Sequence, residues 1–225
     1  MNEMDTNRLE AFSDGVFAVA ITLLVLSIKV PGLEPSSELP PNDTRLWLMV
    51  RNEWPMLVAY ATSFLNIGVM WLNHHRLFNH IKRVDNVLLI MNLVLLAIIV
   101  FIPVPTALLA EYLVRPDQHA AAIIYTGVFF LLACCFNLLW RYASYNNRLL
   151  ARNVDPHSVA AISRQYLFGP AFYLVAFGLA WINTPASIIF TFMLALFFAL
   201  PGNTFRSRPK KGMATNETEN ANELN

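Results

Sequence analysis

The sequence predicts an all-α membrane protein with six spanning helices and both ends in the cytoplasm. Three observations predict it. Of 225 residues, 56% are apolar and only 14% charged, at a mean hydropathy of +0.46; soluble domains carry about 25% charged residues. Apolar runs of near-bilayer length recur along the chain. Lysine and arginine crowd into alternate connecting segments. A net charge of +1 without a basic face excludes a nucleic-acid partner. The two cysteines, Cys134 and Cys135, are adjacent inside an apolar run, so they offer neither a disulfide scaffold nor a CxxC metal site.

The first run covers Phe12–Val30. The segment before it, Met1–Glu10, holds three acids and one arginine, and no small-residue cleavage site follows the run. It therefore reads as a permanent span, not as a signal peptide. A polar, proline-rich connection follows, Pro31–Asn52. The second run is Met56–Leu72, closed by Asn73-His74-His75-Arg76. The third is Val87–Leu109, interrupted by Pro103 and Pro105. The fourth is Ala120–Trp140. The fifth, Tyr166–Trp181, contains Gly169-Pro170, and the sixth, Ala186–Leu200, ends at Pro201-Gly202. Prolines are tolerated in spans where neighbouring helices satisfy the freed carbonyls. A span needs about 20 residues, so six use about 120 and leave the rest for loops and tails. Residues 1–205 form one transmembrane domain; 206–225 are a polar tail with the composition of disorder.

With the N-terminus inside, the inner segments hold Arg8; Arg76, Lys82 and Arg83; Arg141, Arg148, Arg152 and Arg164; and Arg206, Arg208, Lys210 and Lys211. The outer segments hold only Lys29, Arg45, Arg51 and Arg115. That bias is the positive-inside pattern, and it requires an even number of spans.

The first span carries the most information. At 100° per residue, Val19, Thr22, Leu23 and Leu26 share one stripe, which Phe12, Gly15 and Val30 extend. Ser13 and Asp14 point elsewhere. An apolar stripe on a spanning helix is usually lipid-facing or packed core on periodicity alone. An aspartate near a helix start also complements the helix dipole. An intramembrane carboxylate, however, is costly and normally finds a partner. Partners at the same depth lie at the end of the second span, in Trp71-Leu-Asn73-His74-His75, with Asp85 and Asn92 at the start of the third. A hydrogen-bonded knot between helices is expected there. Asn66 and Asn73, seven apart, share a helix face and suit helix–helix contacts. No metal or haem is expected, because His74, His75 and His80 lack ligand spacing and adjacent histidines face different sides of a helix. No cofactor is expected either.

Arg8-x-x-x-Phe12-Ser13-Asp14-Gly15, followed by Val-Phe-Ala-Val-Ala-Ile-Thr-Leu-Leu-Val-Leu, closely resembles the signature of the bacterial members of the lysosomal potassium channel family, the transmembrane protein 175 class. Trp71-x-x-His74-His75, Asp85, Asn92-Leu and Phe101-x-Pro103-x-Pro105-Thr106 are similar to the same family. The resemblance covers the first three spans by motif and the last three by length and hydropathy. It implies one six-helix unit per subunit and a homotetramer in which the first helix lines a central pore for potassium. It also implies rings of bulky apolar side chains at Val19, Leu23 and Leu26, with Thr22 adding hydroxyls and no TVGYG filter. The family pattern has isoleucine or leucine at the innermost ring, where this chain has Val19. The implied location is the inner or plasma membrane of a bacterium.

The residues leave a competing reading open: a proton- or cation-coupled secondary transporter working through Asp14 and the histidines. Against it, the chain has no internal repeat and no matched pair of broken helices. No nucleophile–base pair or phosphate loop points to an enzyme. No span carries an arginine ladder of voltage-sensor type.

Overall fold

In a computed structural model, the described residues are 6–28, 43–151 and 156–199. They fold into helices α1 (Thr6–Leu23), α2 (Asp43–Asn52), α3 (Trp54–His80), α4 (Asn86–Phe101), α5 (Pro103–Tyr112), α6 (Gln118–Ser144), α7 (Pro156–Ala180) and α8 (Thr184–Ala199). A 3-10 turn, Leu24–Ser27, ends α1. Four stretches are long and apolar enough to cross a bilayer: Thr6–Leu26, Trp54–His80, Asn86–Tyr112 and Gln118–Asn147. The fifth expected span, Tyr166–Trp181, falls on the second half of α7, 25 residues long with Pro170 inside it, and the sixth, Ala186–Leu200, on α8, a shorter apolar helix, with Leu200 outside the described residues. The tail at 206–225 lies outside the described residues.

Helix positions follow the apolar runs, and helix ends follow local chemistry. Prolines stand at the starts of α3 and α7, where a missing N–H costs nothing. Asp85 caps α4, accepting the Leu88 N–H at 2.9 Å. Asn183 likewise accepts the Ala186 N–H at 2.9 Å beside the start of α8. Two elements depart from the sequence expectation. The connection after the first span contains a helix, α2. The third span is two helices in tandem, because Pro103 and Pro105 lack the N–H groups that would continue the ladder across Ile102.

α3 runs through the middle of the bundle, packed on α1, α5 and α8, while α6 packs on α4, α5 and α7. The core between them holds Trp140, Tyr125, Phe129 and Ile67 among its largest fully buried side chains. α1 sits at the edge, seated on α3 and α4.

The break at Pro170 is repaired from next door. Proline cannot donate to the carbonyl four residues back, that of Tyr166. Asn137 of α6 supplies the missing donor, its Nδ2 lying 2.8 Å from that oxygen. The Tyr166 hydroxyl donates to the Asn73 carbonyl at 3.0 Å, and the Tyr173 hydroxyl donates to Asn66 Oδ1 at 2.8 Å. α3, α6 and α7 are thus stitched together by polar contacts at membrane depth, where an unmade hydrogen bond is expensive. A cavity of about 50 Å³ lies beside the break, between Asn73, Tyr166, Gly169 and Tyr173.

Candidate pore helix and its anchoring knot

α1 has two faces of opposite character. Ser13, Phe17, Ala20 and Leu24 recur at helical spacing and are fully buried against α3, α4 and α5. The other side presents Phe12, Gly15, Ala18, Val19, Thr22 and Leu26, all exposed, with Val19 at 52% and Leu26 at 75%. Of the stripe picked out in the sequence, Val19, Thr22 and Leu26 face outward and Leu23 is half-buried. Gly15 opens onto free space. The Thr22 hydroxyl donates to the Val19 carbonyl at 2.8 Å, which leaves its lone pairs facing outward. In a 3-10 turn, residues three apart eclipse. The turn at Leu24–Ser27 therefore draws Leu26 onto the line of Leu23, which the α-helical pitch would separate by about 60°.

The buried face ends in a directed hydrogen-bond chain. Ser13 donates its only hydroxyl proton to the Leu9 carbonyl at 2.8 Å. It must then accept from Asn92 Nδ2, 3.0 Å away. Asn92 therefore turns its oxygen to His74 Nε2 at 2.9 Å, and that nitrogen carries the imidazole proton. His74 is fully buried, stacked on Phe78 at 4.4 Å and met by the edge of Phe17 at 5.4 Å. Among the described residues, His74 Nδ1 is the buried side-chain polar atom left without a hydrogen-bond partner.

Two further contacts pin α1 to α3. Trp71 Nε1 donates to Asp14 Oδ1 at 2.9 Å, and His75 Nδ1 lies 2.7 Å from Glu10 Oε1. His75 also stacks on Trp71. These two histidines turn to different neighbours, as adjacent positions on a helix must. The knot thus gathers Ser13, Asp14, Trp71, His74, His75 and Asn92. Arg8 is exposed, and Asn73 contributes its backbone carbonyl to Tyr166 instead.

Asp85, expected near the knot, belongs to a separate cluster one loop away. Besides capping α4, it accepts from the Tyr142 hydroxyl at 2.7 Å and pairs with Arg148 at 3.3 Å. Burial pushes its pKa up, but the Tyr142 hydroxyl, the Leu88 N–H and the Arg148 charge outweigh that and hold it below the ordinary carboxylate value. The same loop pair is joined by a bridge between Ile81 and Leu150 and by the Lys82 N–H on the Leu149 carbonyl at 2.9 Å.

Sequence reasoning missed the Asn137 repair and a buried hydroxyl group formed by Ser63, Thr106 and Tyr125. The first was signalled: a proline inside a span asks a neighbour for a donor, and Asn137 is the asparagine of the adjoining run. The second was not, since its members come from three different helices.

A multi-pass bundle of apolar helices, with an edge helix anchored at its polar end and apolar on its free side, defines an integral membrane protein. Its relatives specify which kind. Residues 8–103 match the family described as endosomal/lysosomal potassium channel TMEM175. The chain is 48% identical over 201 residues to a potassium channel of Chamaesiphon minutus, across 89% of this chain and 97% of that protein. It is 40% identical over 200 residues to a potassium channel of Streptomyces collinus, across 88% of this chain and 92% of the other. Its fold matches the crystal structure of a lysosomal potassium-selective channel TMEM175 homolog from Chamaesiphon minutus with a TM-score of 0.77 at 45% identity, covering 86% of this chain and 96% of that one. The chain belongs to the TMEM175 potassium channel family and is a multi-pass protein of a bacterial membrane.

Proposed function

We propose that this chain is a potassium-selective channel, favouring potassium modestly over sodium, that works as a homotetramer. Six spans per subunit, formed within residues 1–205, place both termini in the cytoplasm, and residues 206–225 form a polar tail outside the channel domain. α1 of each subunit lines a central pore. Val19, Leu23 and Leu26 narrow it in successive rings, and Thr22 offers hydroxyl oxygens between the first two. The observation that carries this reading is the free side of α1: an edge helix, anchored near its N-terminal end, that leaves this stripe mostly open to a partner or to ions.

The chemistry follows from the side chains. A narrow apolar neck expels water and closes by dewetting. An ion crosses it only after shedding part of its hydration shell. Potassium sheds water more readily than sodium because its charge density is lower, so the neck favours potassium without a strong binding site. The knot acts at second hand. Trp71, His74 and Asn92 fix where α1 stands and how it leans.

Leu23→Ala tests the assignment. Shortening that ring in every subunit should raise single-channel conductance and lower the potassium-to-sodium permeability ratio. Wild-type conductance and ratio in an intact tetramer would remove α1 from the pore.

A further inference from the structure

The hydroxyls of Ser63 on α3, Thr106 on α5 and Tyr125 on α6 are all fully buried. One arrangement of their protons makes every one of their hydrogen bonds. Thr106 donates to the Ile102 carbonyl at 2.8 Å. Each hydroxyl has one proton, so Ser63 must donate to Thr106 at 2.7 Å, and Tyr125 must donate to Ser63 at 3.0 Å. The string runs one way, from α6 through α3 to the joint between α4 and α5. It ends on the carbonyl that immediately precedes Pro103, where the ladder is interrupted. Three polar groups in the buried core of a membrane protein cost free energy unless each is satisfied, and here each one is.

The location of the string gives it a consequence. Glu10 meets His75 and Asp14 meets Trp71, so each step of four residues up α1 is a step of four down α3. Two more such steps set Thr22 level with Ser63, about 12 Å from the Asp14 contact at helical rise. The 3-10 turn that follows packs on α3 and α5, two of the three helices the string joins, with Leu24 fully buried. The position of α5 against α3 therefore sets the seat of Leu24, and the seat of Leu24 sets the rotation of the turn that carries Leu26.

We infer that Ser63, Thr106 and Tyr125 are positioning residues for the pore neck: their string fixes the α3–α5 cradle in which the end of α1 is held. This rests on the reading of α1 as the pore helix. None of the three touches the free side of α1, so their effect on permeation runs through the cradle alone.

The test uses the full chain reconstituted in a planar bilayer, with oligomeric state checked by size exclusion. Thr106→Val and Ser63→Ala should change the potassium-to-sodium permeability ratio by about twofold or more, and Thr106→Ser, which keeps the hydroxyl, should stay near wild type. Tyr125→Phe removes only the first donor of the string and should shift the ratio in the same direction by less. It carries the test if Thr106→Val fails to assemble. A wild-type ratio in assembled Thr106→Val, or in Tyr125→Phe where Thr106→Val does not assemble, overturns the inference. Leu23→Ala separates the two levels. If Leu23→Ala moves the ratio and the string variants do not, only the positioning role falls; if Leu23→Ala does not move it either, the pore reading falls and the positioning role with it.

Discussion

Val19 stands on the free side of α1, half exposed, at a position where the motif resemblance implies a larger side chain. Each missing methylene widens the proposed ring, and four subunits would repeat the loss. Val19→Ile should therefore raise the potassium-to-sodium ratio, read from the reversal potential; an unchanged ratio would refute that role for the ring. Asp14 behaves differently because its carboxylate is engaged by Trp71 and not by the free side of the helix. Asp14→Ala should reduce the tetramer fraction on size exclusion while leaving the ratio of surviving channels near wild type. A normal elution profile with altered ion preference would reverse the assignment. At this scale the sequence was informative for a physical reason. Polar residues inside a span are costly, so Ser13, Asp14, His74 and Asn92 announce themselves by type. Their pairing was not legible. Asp85, two helical turns from Asn92, turns instead to Tyr142 of α6 and Arg148 of the turn after it, about 60 residues away in the chain.

Helices were legible by hydropathy, and their interruptions by proline. What repairs each interruption was not, because it depends on which helix lies alongside. Pro170 shows the difference: the freed carbonyl of Tyr166 follows from the sequence alone, whereas its donor, Asn137, follows from the packing of α6 on α7. Asn137→Leu keeps the branching and number of side-chain heavy atoms and removes the donor. A carbonyl left unpaired in the core costs about 1–3 kcal/mol. For a chain of this size that corresponds to a fall in melting temperature of about 2–4 °C per kcal/mol. An unchanged melting temperature in lipid nanodiscs would mean that water from the neighbouring cavity satisfies the carbonyl instead. The tandem α4–α5 arrangement belongs to the same scale. Two prolines mark the bend, but only the assembled bundle reveals the hydroxyl string that holds it.

At the scale of the whole molecule, a single chain offers α1 one packed side and one open side. From Phe12 to the 3-10 turn the open side carries apolar side chains, a glycine and a threonine, as a surface shared by several copies around an axis would. The polar knot pins the N-terminal end of that helix, and the proposed α3–α5 cradle would fix the other. Selectivity would then come from how firmly the neck is held at both ends, not from a row of backbone carbonyls. The most direct test is current through the purified protein in a planar bilayer with potassium on one side and sodium on the other. A reversal potential displaced toward the potassium equilibrium value is expected. The absence of current from intact tetramers, or a reversal potential at zero, would contradict a potassium-selective pore.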